Sequence, residues 1–263
     1  MKIDKKRNIN TDNGNRNPES GRGRRSKASQ VVIQRNPGHV GNKRNPTRIG
    51  TWNVRTLLSP GRLEELKQQM REKELDVLGV CETRWGDNDD FWIDDFRIIH
   101  SRGKQGKNGV ALLLNKNYGT CIENTYHIND RILMVRIKTA SVNSTIIQVY
   151  FPTSNSDEEE IEQIYNILEE LIERIHHKDN LIITEDFNAV VGNVADSDVI
   201  GKYGLGTRNE RGSRLVNFCK QNSFVITNIF FEVPLRRRYT WTAPGDTARY
   251  QLDYILVKYR YKN

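Results

Sequence analysis

The chain is 263 residues long, with 41 Lys and Arg against 33 Asp and Glu and a formal net charge of +8. Residues 1–50 hold 13 of those cations and 3 of those acids, a net of +10, and the remainder holds 28 against 30, so the basic balance belongs to one end and does not make the body of the chain a nucleic-acid binder. Three scattered cysteines, Cys81, Cys121 and Cys219, argue against a disulfide framework and a zinc knuckle, and no run of about 18 apolar residues is present to form a membrane-spanning helix.

In chain order, residues 1–46 are rich in Asn, Gly, Arg, Ser and Lys, and no aromatic residue precedes Trp52. Such a stretch cannot bury enough apolar surface to offset the entropy of ordering it, so a disordered basic tail is expected before one domain at 47–263. Its run Gly21-Arg22-Gly23-Arg24-Arg25-Ser26-Lys27 fits a nuclear-import signal, a phosphate-backbone contact or a merely solvated tail. The cysteine usage and the lack of an opening signal peptide fit a reducing compartment, nuclear or cytoplasmic.

The domain is expected to begin with a strand through Ile49-Gly50-Thr51-Trp52 into Asn53. Pro60-Gly61 opens a helix in which Leu63, Leu66 and Met70 recur at helical spacing. Strands are expected at 77–82, 97–100, 110–115, 131–137 and 145–151. The longest helix follows Ser156-Asp157, expected to cap it, with Glu158, Glu159 and Glu160 at the favourable end of its dipole. Its stripe is Ile161, Ile164, Leu168, Leu171, Ile172 and Ile175, and His176-His177-Lys178 stand at the end that favours cations. A strand ending at Asp186 leads to a Gly- and Asp-rich loop from Gly192 to Gly212. A short helix carrying Leu215, Val216 and Phe218 follows, then strands at 224–229, 239–242 and 252–257. No internal repeat interrupts this mixture, which suggests two sheets packed face to face with helices outside.

The segment Leu181-Ile182-Ile183-Thr184-Glu185-Asp186-Phe187-Asn188 carries the most chemistry. Strand alternation puts Asp186 and Asn188 on one side and Phe187 on the other, an acid and an amide at the end of a buried strand. Asp and Asn are also the commonest turn residues, and for this segment alone that reading suffices. The pattern repeats, however, with Asn53, Glu82 after Cys81, Tyr150 after Val149, Thr240 beside Trp241, and Asp253 after Leu252. Polar side chains at the ends of successive apolar segments point to one shared site outside the strand ends.

This ordered series resembles the endonuclease/exonuclease/phosphatase superfamily. Asn53-Val54-Arg55-Thr56-Leu57 and Gly206-Thr207-Arg208-Asn209-Glu210-Arg211-Gly212 bring it nearest to the apurinic-type endonucleases of non-LTR retrotransposons. The resemblance runs from about Arg48 to the last residue. It implies an α/β fold, a four-layer sandwich of two packed mixed β-sheets flanked by helices, and hydrolysis of DNA phosphodiesters with Mg²⁺ or Mn²⁺. By the same resemblance Glu82 and Asn53 belong to the metal, and Asp186 aligns or deprotonates the attacking water while Asn188 fixes its orientation. Tyr150 and Thr240 contact the phosphate, and Asp253 holds a histidine.

Two departures qualify those expectations. Glu185 stands where the family has Gly, and a second carboxylate beside Asp186 is expected to raise the pKa of one of the pair. The family's terminal Ser-Asp-His does not follow Asp253 before Tyr261-Lys262-Asn263, and none of His39, His100, His127, His176 or His177 stands in the order to replace it. The last strand is therefore expected to be missing, and DNA nicking to be very slow or absent. A catalytically dead nucleic-acid-binding remnant is one alternative; a phosphatase acting on a lipid or inositol phosphate is another. For DNA contact the candidates are Arg208, Asn209, Arg211 and Arg214, then Arg236, Arg237 and Arg238. Trp241 either packs against a nucleotide or fills the core. DNA is the expected partner, of a monomer without a membrane role; protein partners are undefined.

Overall fold

A computed structural model describes residues 29–33 and 47–261, apart from 105, 140, 141, 154, 155 and 197. Its first six strands are β1 (Ser29–Ile33), β2 (Thr47–Asn53), β3 (Val77–Cys81), β4 (Asp89–Ile93), β5 (Phe96–Ser101) and β6 (Val110–Asn115). Downstream come β7 (Ile122–His127), β8 (Ile132–Ile137), β9 (Ser144–Tyr150), β10 (Asn180–Asp186), β11 (Phe224–Ile226), the two-residue pair β12 (Trp241–Thr242) and β13 (Arg249–Tyr250), and β14 (Asp253–Lys258). The helices are α1 (Arg62–Glu72), α2 (Lys116–Gly119), α3 (Glu158–Arg174) and α4 (Glu210–Gln221).

Two six-stranded sheets result, ordered β1-β2-β3-β6-β5-β4 and β11-β14-β10-β9-β8-β7. Both are mixed: β2 with β3 and β9 with β10 are parallel, the other pairs antiparallel. Period-two alternation sorts the side chains into three apolar layers. Ile49, Val77 and Leu112 of the first sheet meet Leu133, Ile146, Ile182 and Ile255 of the second. Leu78, Val80 and Ile98 pack outward on Leu66 and Met70 of α1. Ile147, Ile183 and Leu256 pack outward on Ile164 and Leu168 of α3 and Leu215 of α4. Each such side chain stabilises the fold by roughly 1.5–3 kcal/mol when fully buried. The four-layer α/β/β/α sandwich is the architecture expected.

The differences are local. Asp157 stands at the N-cap of α3 but its side chain accepts no capping hydrogen bond. Helix α4 begins inside the expected loop, because Asn209 Oδ1 accepts from Gly212 N at 2.8 Å and caps it. The strand expected at 224–229 stops at Ile226, and Thr227–Ile229 turn as a 3-10 helix. Strands β4 and β7 lie at sheet edges, where polar residues are tolerated and the alternation that marks a strand is lost. The disorder expected of the whole tail does not hold at Ser29–Ile33, a strand ending in the β-branched Val31-Val32-Ile33 that pairs antiparallel with β2, Ser29 opposite Thr51 and Ile33 opposite Thr47. The rest of residues 1–46, with the Gly21 to Lys27 run and His39, lies outside the described residues.

Candidate active site

Register gathers the polar strand ends into one row. Asn53 lies opposite Cys81 in the first sheet, and Tyr150, Asp186 and Asp253 lie opposite one another in the second. Alternation along β2, β9, β10 and β14 turns all four polar side chains of that row inward, at the end of the apolar layer between the sheets.

Their hydrogen bonds cross the gap between the sheets. Asn53 Nδ2 donates to Glu82 Oε1 at 2.7 Å and to Asp186 Oδ2 at 2.9 Å, while its Oδ1 accepts from Arg55 N at 3.0 Å. Tyr150 donates its hydroxyl to Glu82 Oε1 at 3.0 Å, and Arg84 pairs with Glu82 Oε2 at 3.1 Å. Glu82 is thus fixed by a strand end of each sheet. Arg55, Glu82, Arg84 and Asn188 all have left-handed backbones, with φ of 64°, 59°, 61° and 49°. This conformation costs a non-glycine residue of order 1–3 kcal/mol, and its concentration at these strand ends marks the segments where the chain turns to aim side chains at one point.

Asn188 reaches the site differently from the alternation expected. Strand β10 ends at Asp186, and the left-handed turn brings Asn188 N to 3.4 Å from Asp186 Oδ1, while Asn188 Nδ2 donates to the Phe151 carbonyl at 3.0 Å. Thr240 Oγ1 accepts from Leu252 N at 2.9 Å and Asp253 N at 3.2 Å, so the hydroxyl pins the start of β14. Burial first, then the charges of Asp186 and Asp253, hold the Cys81 thiol well above its ordinary pKa. Glu185 points away from the row, towards the helices. It is fully buried with neither carboxylate oxygen hydrogen-bonded, and burial, reinforced by Asp186 and Asp253, raises its pKa well above the usual range.

The basic candidates divide into anchored and exposed groups. Arg208 bonds the carbonyls of Val191 and Val194 and the Asp196 carboxylate. Arg211 donates to the carbonyls of Pro152 at 2.7 Å and Thr153 at 2.9 Å. Arg214 pairs with Glu162 and lies over the Tyr165 ring, and Arg238 bonds the Val233 carbonyl. Asn209 Oδ1 accepts from Val190 N as well as capping α4. Arg236 and Arg237 stand exposed on the 3-10 turn Leu235–Arg237. Trp241 is buried against Val190 and Leu252, which favours the core reading.

Two further residues meet the site without a motif that marks them in the sequence. Arg84 is one, and its only signal was its place two residues past Glu82. The other is Arg131, whose guanidinium lies 5.2 Å from the centre of the Tyr150 ring. The four histidines among the described residues stand elsewhere: His100 against Trp85 and Phe91, His127 beside Ser101, and His176 and His177 beyond α3.

Among the described residues, no three His, Cys, Asp or Glu side chains form a metal cage. A hard cation that keeps several waters needs only one or two carboxylates. Glu82 keeps 18% of its side chain exposed while Asp186 and Asp253 are buried, so this oxygen-rich set fits such an ion with Glu82 as its accessible ligand.

Comparison with known proteins bears on the family and the fold. Residues 50–261 match the family model described as the Endonuclease/Exonuclease/phosphatase family. The chain is similar to craniofacial development protein 2 of Bos taurus, 41% identical over 217 residues that make up 82% of this chain and 36% of that protein. It therefore spans little more than a third of that curated relative. Among solved structures it is similar to the endonuclease domain of TRAS1, a telomere-specific non-LTR retrotransposon, with a TM-score of 0.55 and 19% identity, covering 81% of this chain and 85% of that one. It is also similar to the 3' phosphatase NExo from Neisseria bound to product DNA hairpin, with a TM-score of 0.56 and 18% identity over 80% and 86% of the two chains. At those identities the likeness is one of fold.

Proposed function

We propose, from the premise that the chain belongs to the endonuclease/exonuclease/phosphatase family, that it is a Mg²⁺-dependent endonuclease-type hydrolase of DNA phosphodiesters, of retrotransposon descent. The observation that carries this reading is the amide of Asn53 bridging the carboxylates of Glu82 and Asp186, with the Tyr150 hydroxyl on the same Glu82 oxygen. A phosphodiester resists hydrolysis because its charge repels nucleophiles. Divalent ions, which this superfamily generally uses, supply neutralisation of that charge when bound at Glu82.

The chain's own residues supply the rest. Asp186 aligns the attacking water and accepts its proton. Asn53 holds the two carboxylates at a fixed separation, its amide nitrogen turned to both. Asn188 fixes Asp186 through its backbone N–H. The Thr240 hydroxyl serves a phosphate oxygen, the Tyr150 hydroxyl does so by turning its proton away from Glu82, and Asp253, opposite Asp186 in register, completes the acidic row. DNA contact falls to the exposed Arg236 and Arg237 and to the basic tail, since Arg208 and Arg211 already serve carbonyls of the fold. We place the protein in a reducing compartment, nuclear or cytoplasmic, as a monomer. No helix among the described residues is long and apolar enough to cross a membrane.

A second reading, binding of DNA without turnover, is favoured by the contacts that already engage both Glu82 oxygens, Asn53 and Tyr150 on Oε1 and Arg84 on Oε2. Divalent-ion binding tests the site under either reading. Mg²⁺ or Mn²⁺ should raise the melting temperature by mass action, and Glu82→Gln should remove most of the shift. An equal shift in the variant would take Glu82 out of the site.

A further inference from the structure

We propose that Gln148 and Thr184 form a positioning layer that sets the spacing of the two sheets directly beneath the candidate active site; the proposal rests on the phosphodiesterase reading. Gln148 stands two residues before Tyr150, Thr184 two before Asp186 and Gly79 two before Cys81, so all three face the gap between the sheets one step below the site. The surrounding layer is otherwise largely Val, Leu and Ile.

Both polar side chains are fully buried, and Gln148 is satisfied across the gap. Thr184 donates its hydroxyl to Gln148 Oε1 at 2.5 Å, and Gln148 Nε2 donates to Cys81 Sγ at 3.0 Å and to the Val149 carbonyl at 3.2 Å. The Cys81 thiol in turn donates to the Val149 carbonyl at 3.1 Å. The amide thus joins β9 and β10 to β3, one residue before Glu82. Gly79 makes room for it: a Cβ there would lie 1.7 Å from Gln148 Oε1 and 2.7 Å from Thr184 Oγ1.

Packing alone does not call for this arrangement, because apolar side chains fill such a gap without desolvating an amide. Hydrogen bonds add direction and a fixed length. The bridge from Asn53 to Glu82 and Asp186 spans the same gap one step above, and a displacement of about 1 Å in such a constellation costs on the order of 100-fold in rate.

The test is the double variant Gln148→Met with Thr184→Val, which removes both partners at near-constant volume and leaves the fold stable. Its readouts are the melting temperature, the Asn53 side-chain amide resonance in a ¹⁵N-labelled protein, the Mn²⁺ dissociation constant, and kcat and KM for nicking. The expected result is a retained melting temperature, a shifted Asn53 resonance, weaker Mn²⁺ binding, and kcat lowered about 100-fold at nearly constant KM. Thr184→Val alone should show the same effects in smaller degree, and Thr184→Ser, which keeps the hydroxyl, should restore the wild-type resonance. An unmoved Asn53 resonance in a folded double variant, or equal effects of Val and Ser at position 184, would overturn the proposal. If the wild-type chain neither binds Mn²⁺ nor nicks, the phosphodiesterase reading fails, and the Asn53 resonance still decides the spacing claim.

Discussion

Glu185 is a carboxylic acid facing the layer of Tyr165 and Cys219, and neither of its oxygens meets a donor. Its raised pKa means the native state keeps a proton that the unfolded chain gives up above about pH 4.3. The native state is therefore penalised increasingly as pH rises from there towards the raised value, and below it only the desolvation of a neutral polar group remains. Glu185→Met should then stabilise the fold by about 1–3 kcal/mol at pH 4 and by more at pH 7. Urea melts at the two pH values check this; an equal gain at both would mean that the acid is not held protonated. Asn53, Glu82, Tyr150, Asp186 and Asp253 could be read as candidates because each stands at or just past an end of an apolar run. The crossing amide of Gln148 could not, since its partner Cys81 lies 67 positions away and no local pattern encodes that approach.

At the scale of elements, the anchored and exposed arginines make opposite predictions. Arg211 ties α4 to the segment after β9 through two carbonyls, so Arg211→Ala should lower the melting temperature. Replacing Arg236 and Arg237 together by Ala should leave the melting temperature unchanged, while the slope of log K against log salt for DNA falls by roughly 1.8, about 0.9 per lost phosphate contact. A changed melting temperature with an unchanged slope in that pair would move DNA recognition elsewhere. Helices α1 and α3 and strands β3, β6 and β10 were legible because strong periodicity or continuous apolar runs mark elements that face a core. The edge strands β4 and β7 were not, and neither was the start of α4, which an Asn cap sets inside a run of loop-forming residues.

Across the whole molecule, positive charge and the candidate chemistry sit in different parts of the chain. Residues 1–28 carry 9 Lys and Arg against 3 acids, and Ser29–Ile33 pairs with β2. Deleting 1–28 should weaken DNA binding and flatten its salt dependence without altering the melting temperature. Deleting 1–46 should in addition lower the melting temperature and promote association, because the backbone groups of β2 then lose their partner. Identical melting temperatures for the two deletions would show that β1 contributes nothing to the domain.

Glu82 and Asp186, bridged by Asn53, stand at the centre of the proposed hydrolysis of DNA phosphodiesters with a divalent ion. Nicking of supercoiled plasmid by the wild-type chain, Glu82→Gln and Asp186→Ala, each in Mg²⁺ and in EDTA, tests it most directly. The expected result is slow nicking in Mg²⁺ that EDTA abolishes and that both substitutions remove while the folded chain persists. Nicking that survives EDTA, or that Asp186→Ala leaves intact, would contradict it, and Mg²⁺ binding without any nicking would establish the non-catalytic reading in its place.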